Sequence, residues 1–375
     1  MLTVHGRLIE AWEHAGSLNR TLEALPDQAE LSRRNAVGIG LTRPELSVLL
    51  AHAKLALTQE LLAGSAINGD WAQEWLLDYF PQRLRESWRE EIVSHPLRRE
   101  IIATVIANRV INSAGITSVF RLTEETGLSS ESAALALLSA MKVSGLDDLR
   151  GALDGPEVSW DARIAAMLEA RRYVDRTARW LLAHRSSAEQ LVTHLDRLSE
   201  VVKAVRNLIG VHLRGGELAR WKASASRFAE KGMPRQTAEI FAGLLDEYAV
   251  LDLGDIAAES AVATEVWSTV YFEISETVGG DAILNAISGL PRQDRWQTMA
   301  RAAMRADTYA LLASLAFAVL VMPGDDRIER WSAAHAAGLE RVRAMVAEIS
   351  SAPTSDLAAI SVALRMLREL VSQSS

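Results

Sequence analysis

Three groups of residues have types and spacing suited to chemistry, and each is offset by its surroundings. Gly38-Ile-Gly40 supplies the opening of a G-x-G-x-x-G loop, in which bare backbone N–H groups approach a pyrophosphate. Position 43 is Arg where the loop needs its third glycine, and no strand pattern precedes the pair. Gly215-Gly216 and Gly279-Gly280 are expected between helices, where left-handed helix termination accounts for them. Asp325-Asp326-Arg-Ile-Glu329 has the carboxylate spacing that holds a diphosphate through magnesium. It follows Pro323-Gly324 and opens a helix, where capping and the macrodipole favour carboxylates, and no second acidic motif of that kind is present. The histidines His5, His14, His52, His95, His184, His194, His212 and His335 include no pair spaced to set two imidazoles on one helix face. With no cysteine either, the residues nominate no catalytic, cofactor-binding or metal-binding group.

Polar residues on one apolar helix are the remaining candidates. From Pro96 to Ala114 the expected helix carries Ile101, Ile102, Val105, Ile106, Val110 and Ile111, so it is apolar most of the way round. Asn108 and Asn112 lie four apart on it, and a buried amide left without partners costs ~1–3 kcal/mol. Each is therefore expected to bond neighbouring backbone or a ligand. Arg98 and Arg99 in the first turn oppose the helix dipole, which a carboxylate elsewhere or plain solvation must offset. The ten Trp residues are spread singly, apart from Trp71 and Trp75 on a shared helical face, and basic neighbours for base stacking are missing. Core packing is the expectation for them.

The elements that must position these residues are helices. Leu46, Leu49, Leu50, Ala53, Leu57 and Leu61 recur at three- and four-residue spacing, behind a capping box at Thr42-Arg-Pro-Glu45 with Pro44 in the first turn. Glycine stops then punctuate the chain at Gly115, Gly127 and Gly145. The predicted helices are 96–114, 116–126, 129/130–145, a short piece 147–154, and then 160–184, 187–209, 217–231, 234–248, 256–278, 292–322, 327–349 and 356–371. No alternating β-branched run with a hairpin turn appears, so the fold is expected to be all-α, an irregular multi-helix bundle. Unequal helix and loop lengths exclude a regular repeat. Helices lengthen after Gly155-Pro156, which suggests two lobes, 41–155 and 156–375, preceded by leading helices over 1–40.

Composition narrows the partners. The chain has 375 residues, 49% hydrophobic, enough for a sizeable core and roughly two to three domains at ~100–200 residues each. Acids outnumber bases 48 to 40, a formal net charge of -8, which argues against a nucleic-acid partner. The start, Met1-Leu-Thr-Val-His-Gly-Arg7, lacks the pattern of a signal peptide. The most apolar stretch, Tyr309 to Met322, is short of the ~20 residues that span a bilayer, so it is expected to be a buried helix and the protein cytoplasmic, without membrane contact.

Several long words resemble a known family. Gly40-Leu-Thr-Arg-Pro-Glu-Leu-Ser-Val-Leu-Leu-Ala-His-Ala-Lys54, Tyr79-Phe80-Pro81 and His95-Pro-Leu-Arg-Arg-Glu-Ile-Ile-Ala-Thr-Val-Ile-Ala-Asn-Arg-Val-Ile-Asn112 are similar to the C-terminal helical region of the large bacterial NAD-specific glutamate dehydrogenases. Gly115-Ile-Thr117 and Arg121-Leu-Thr-Glu-Glu-Thr-Gly127 continue the likeness, which is dense over 36–127 and looser to the end. That resemblance implies a parent enzyme, cytoplasmic and oligomeric, that converts glutamate to 2-oxoglutarate and ammonia with NAD. The family's substrate-binding and catalytic lysines, catalytic aspartate and dinucleotide loop have no counterpart here. Lys54, Lys142, Lys203, Lys222 and Lys231 all sit in helical or helix-end sequence. The expectation is a segment inactive by itself, structural or regulatory, partnered with the dehydrogenase core of the same parent chain, with residues 1–40 leading to that core. Docking is expected on the helix 96–114, with Arg98, Arg99, Asn108 and Asn112 fixing the register. The alternatives are a free-standing all-α interaction protein related to that region and, further off, an all-α enzyme using Asp325, Asp326 and Glu329.

Overall fold

The structure, a computed structural model, describes residues 2–185, 187–193, 195–257, 262–291 and 294–374. Among them are 22 α-helices, two short 3-10 turns and no strand, as the periodicity predicts. His194 and Arg292 lie outside the described residues. The chain forms two compact units that do not follow chain order: Met1–Lys142 with Val174–Leu195, and Val143–Tyr173 with Asp196–Ser375. Gly155-Pro156 falls in a turn inside the second of these.

In the first unit, the helix Arg43–Ala63 begins as its sequence dictates. Thr42 Oγ1 accepts from Glu45 N at 3.4 Å and Glu45 Oε2 accepts from Thr42 N at 2.7 Å, completing the capping box, with Pro44 in the first turn. Against burial, the guanidinium of Arg34 and the Thr42 bonds hold the Glu45 carboxyl below its ordinary range. Leu49, Ala53, Leu57 and Leu61 are buried along one face, with Leu46 and Leu50 half-buried at its margin. That face packs on the helix Arg98–Ala114, which is covered further by the helix Gln73–Tyr79 and the turn Ala66–Asn68. The stops fall where glycine can take a positive φ that a β-carbon would penalise: Gly115 at 96°, Gly127 at 72° and Gly145 at 61°.

In the second unit the helix Arg295–Leu320 is central, packed against Thr264–Val278, Gly280–Gly289, Leu251–Ala257 and Leu357–Ser374. Tyr309, Leu312, Leu315, Ala316 and Val319 are buried, so the apolar stretch is a core helix. This helix and Arg43–Ala63 are both long and apolar enough to cross a membrane by length and composition.

Three expected helices are broken. The span 187–209 divides into Ala188–Val192 and Leu195–His212 at Thr193, which takes an extended conformation. In the span 256–278, residues 258–261 lie outside the described residues, Leu251–Ala257 precedes them, and Ala263 is extended before Thr264–Val278; 327–349 divides at His335. At the last break, the His335 ring lies 2.8 Å from Trp331 O and 3.1 Å from Gln373 O, a partner on a distant helix. A further helix, Gly280–Gly289, separates two that the periodicity set side by side. Apolar spacing continues through such breaks because both pieces face the same core, which hides the break from periodicity.

Candidate functional site

The residues nominated by type are placed apart from one another. Gly38 and Ile39 close the helix Gln28–Ala36, donating to Asn35 O and Arg34 O at 3.2 and 2.9 Å, so the glycine pair is a helix stop on an exposed loop. Gly279 likewise ends a helix at φ 73°. Gly215 instead opens the helix Gly215–Glu230, correcting the expected termination there. Asp325, Asp326 and Glu329 are exposed; Asp326 makes no side-chain cap and pairs with Arg330 at 3.0 Å. Its carboxylate thus answers the cation one turn on rather than the helix N–H groups. Among the described residues no group of three or more His, Asp or Glu side chains is placed to hold a metal ion.

The polar residues of the helix Arg98–Ala114 belong to their own unit. Arg99 Nη2 donates to Leu62 O and Gly64 O at 2.8 and 2.9 Å, closing the C-terminal carbonyls of the helix Arg43–Ala63. Asn112 is exposed and Asn108 half-buried, so the expected pair of buried amides is not formed. Neighbours in the same unit cover the helix and engage Arg99, so within this chain Arg99 serves the helix Arg43–Ala63. Tryptophan also departs from a uniform core role. Trp180, Trp267 and Trp331 are buried, whereas Trp88, Trp160 and Trp296 are exposed by 53%, 72% and 73%. Trp71 lies in a 3-10 turn and Trp75 in the helix that follows, so the two do not share one helix.

The most unusual chemistry lies in the second unit, among residues that periodicity treats as core. Glu217, in the first turn of Gly215–Glu230, is 4% exposed. Its Oε1 accepts from Ser275 Oγ at 2.8 Å, while Oε2 is buried without a hydrogen-bond partner. Burial, reinforced by the neighbouring Asp246 charge, pushes the Glu217 carboxyl up to about 7, against the Ser275 bond and the Arg220 cation. Arg220 bridges two further carboxylates, donating to Asp246 at 3.1 Å and pairing with Asp281. Beside them Glu247 is fully buried, and Arg206 clasps it with Nε and Nη2 both at 2.8 Å while also donating to Ser144 O at 2.8 Å. Burial raises Glu247 and the Arg206 fork opposes it. Tyr173, wholly buried, is raised well above the ordinary phenol range by burial and by the Glu247 charge.

A third buried polar group completes this core. His212 Nδ1 lies 2.7 Å from Ser268 Oγ. The Ser268 hydroxyl gives its own proton to Thr264 O at 2.7 Å, which leaves Nδ1 as the donor. Burial, aided by Arg214, lowers the His212 ring. Sequence reasoning passed over all of these groups. The available signal was polar residues inside apolar runs: Asp246 and Glu247 before Tyr248, and Ser268 and Ser275 one buried face apart on Thr264–Val278.

Carboxylates also line the glycine pair that opens Gly215–Glu230. A pyrophosphate needs unhindered N–H groups at a glycine-rich helix start. At Gly215-Gly216 the side-chain direction faces carboxylates: a β-carbon on Gly215 would lie 2.9 Å from Glu276 Oε1, and one on Gly216 would meet Asp281 Oδ2.

Residues 38–369 match the family described as glutamate dehydrogenase, C-terminal. NAD-specific glutamate dehydrogenase of Mycobacterium tuberculosis is 35% identical over 376 residues, covering 99% of this chain and 23% of the relative. The enzymes of the same name from Pseudomonas aeruginosa and Halomonas elongata are 30% and 29% identical, each over 98% of this chain and 23% of their own length. The chain thus spans about a quarter of the length of the curated relatives it matches.

Proposed function

The chain belongs to the glutamate dehydrogenase C-terminal family, and from that premise we propose that it is the helical C-terminal part of a large NAD-specific glutamate dehydrogenase, serving the dehydrogenase core as a structural and regulatory partner. The asymmetry of coverage carries this reading: likeness runs through nearly all of this chain but through 23% of each relative. Oxidation of glutamate to 2-oxoglutarate with NAD would then be chemistry of the remaining portion. The helical architecture supports that division, because dinucleotide binding of the doubly wound kind uses a strand, a glycine-rich turn and a helix. In this reading the parent is a cytoplasmic homo-oligomer, and this part contacts neither nucleic acid nor membrane.

The test has two measurements. This chain alone, given NAD and glutamate, is expected to form no NADH and to bind no NAD by calorimetry. The parent enzyme lacking this region is expected to lose turnover or assembly, and adding the chain back is expected to restore part of it. NADH formation by the chain alone, or a truncated parent indistinguishable from the intact one, overturns the proposal.

A further inference from the structure

Three arginines meet in one groove of the second unit, on a chain whose net charge is -8. The groove, about 460 Å³, runs between the helices Ala336–Ser351 and Leu357–Ser374 and is lined by Arg341, Arg365, Arg368, Glu369, Ser372 and Gln373. It is shallow and open to solvent, and its lining offers three guanidinium forks against one carboxylate. We propose that it is a binding site for a small anion bearing two oxyanion groups, of the dicarboxylate or diphosphate class.

The state of each arginine favours this. Arg341 makes no hydrogen bond or ion pair among the described residues, so its fork is available. Arg365 pairs with Glu369 at 3.3 Å one turn away, and Arg368 pairs with Asp307. Both pairs are solvent-exposed, and exposed pairs contribute little to stability, so a ligand oxyanion can replace either carboxylate at small cost. Planar guanidinium groups recognise carboxylate and phosphate through two parallel bonds, which lysine cannot supply.

The walls are held in place independently of any ligand. Trp331 Nε1 donates to Ser374 Oγ at 3.0 Å and His335 Nε2 lies 3.1 Å from Gln373 O, tying down the last turn of Leu357–Ser374. Leu367 and Leu370 are buried beneath the lining residues. Gly338 lets the two helices approach: a β-carbon there would lie 3.0 Å from Leu370 Cδ1 and 3.3 Å from Gln373 Oε1. The helices are thereby set before binding, and the ordering that remains is that of the guanidinium side chains.

The experiment uses the whole chain with sodium pyrophosphate and sodium malonate as separate probes, each against sodium chloride at matched ionic strength. At least one probe is expected to raise the melting temperature saturably, with calorimetric binding that falls tenfold or more in Arg341→Gln and in Arg341→Gln/Arg368→Gln. Arg341→Lys is expected to weaken it as well, because charge without the fork remains. Pyrophosphate alone assigns the phosphate class, malonate alone the carboxylate class, and both the shared chemistry. Equal shifts with chloride, wild-type binding in the double variant, or binding of an acidic peptide with neither small anion overturns the proposal. Should the double variant not fold, Arg341→Gln, a change at an exposed side chain, decides alone.

Discussion

Glu217 is where a single residue sets a measurable property. Its folded value of about 7 stands above the ordinary 4.5 because burial disfavours the carboxylate and Asp246 adds a like charge, while Ser275 and Arg220 only partly offset them. Below pH 4.5 the carboxyl is protonated in both the folded and unfolded states. As pH rises from 4.5 to about 7, the unfolded chain releases the proton that the folded chain retains, so stability falls across that window and levels off above it. Glu217→Gln keeps the shape and removes the ionisation. It is expected to be more stable than wild type at pH 8 by up to ~3 kcal/mol and at pH 5 by only ~1 kcal/mol, measured by urea unfolding at the two pH values. An unchanged pH slope would refute the assignment. Three histidines serve helix ends: the rings of His14, His184 and His335 each lie 2.8 Å from the carbonyl four residues back.

At the scale of elements, arginine is the recurrent closing device, in keeping with 35 Arg against 5 Lys. Arg99 binds Leu62 O and Gly64 O; Arg301, itself buried, binds Leu290 O and Ser288 O at 3.0 and 2.8 Å; Arg343 binds Thr277 O at 2.8 Å. In each case a guanidinium from one helix satisfies carbonyls at the end of another, where orphan acceptors and the negative end of the macrodipole coincide. Arg99→Ala and Arg301→Met are each expected to destabilise the isolated chain by ~1–3 kcal/mol, read as a lower unfolding midpoint, because carbonyls are left unpaired. A midpoint unchanged in both would show that water substitutes freely.

For the whole molecule, the two compact units each have a buried core, so damage is expected to remain local. Hydrogen exchange on Arg301→Met is expected to show faster exchange in Gly280–Gly289 and Arg295–Leu320, with Arg43–Ala63 and Arg98–Ala114 unchanged, and Arg99→Ala to show the reverse. Uniform acceleration in either variant would contradict this.

The sequence by itself determined what depends on near neighbours. The all-α class, the Thr42–Glu45 capping box, the glycine stops at Gly115, Gly127 and Gly145 and the buried face of Arg43–Ala63 follow from interactions spanning a few residues, which spacing and residue type encode directly. The family likeness was also written in contiguous words, from Gly40 to Gly127. Only the tertiary structure decided that Glu217, Asp246, Ser275 and Asp281 converge, that Arg99 serves a helix 35 residues upstream, and that the helix predicted over 327–349 breaks at His335. Each depends on a partner supplied by a distant segment. A buried charge is stable only where such a partner offsets its desolvation, and no local pattern records which segment will provide it.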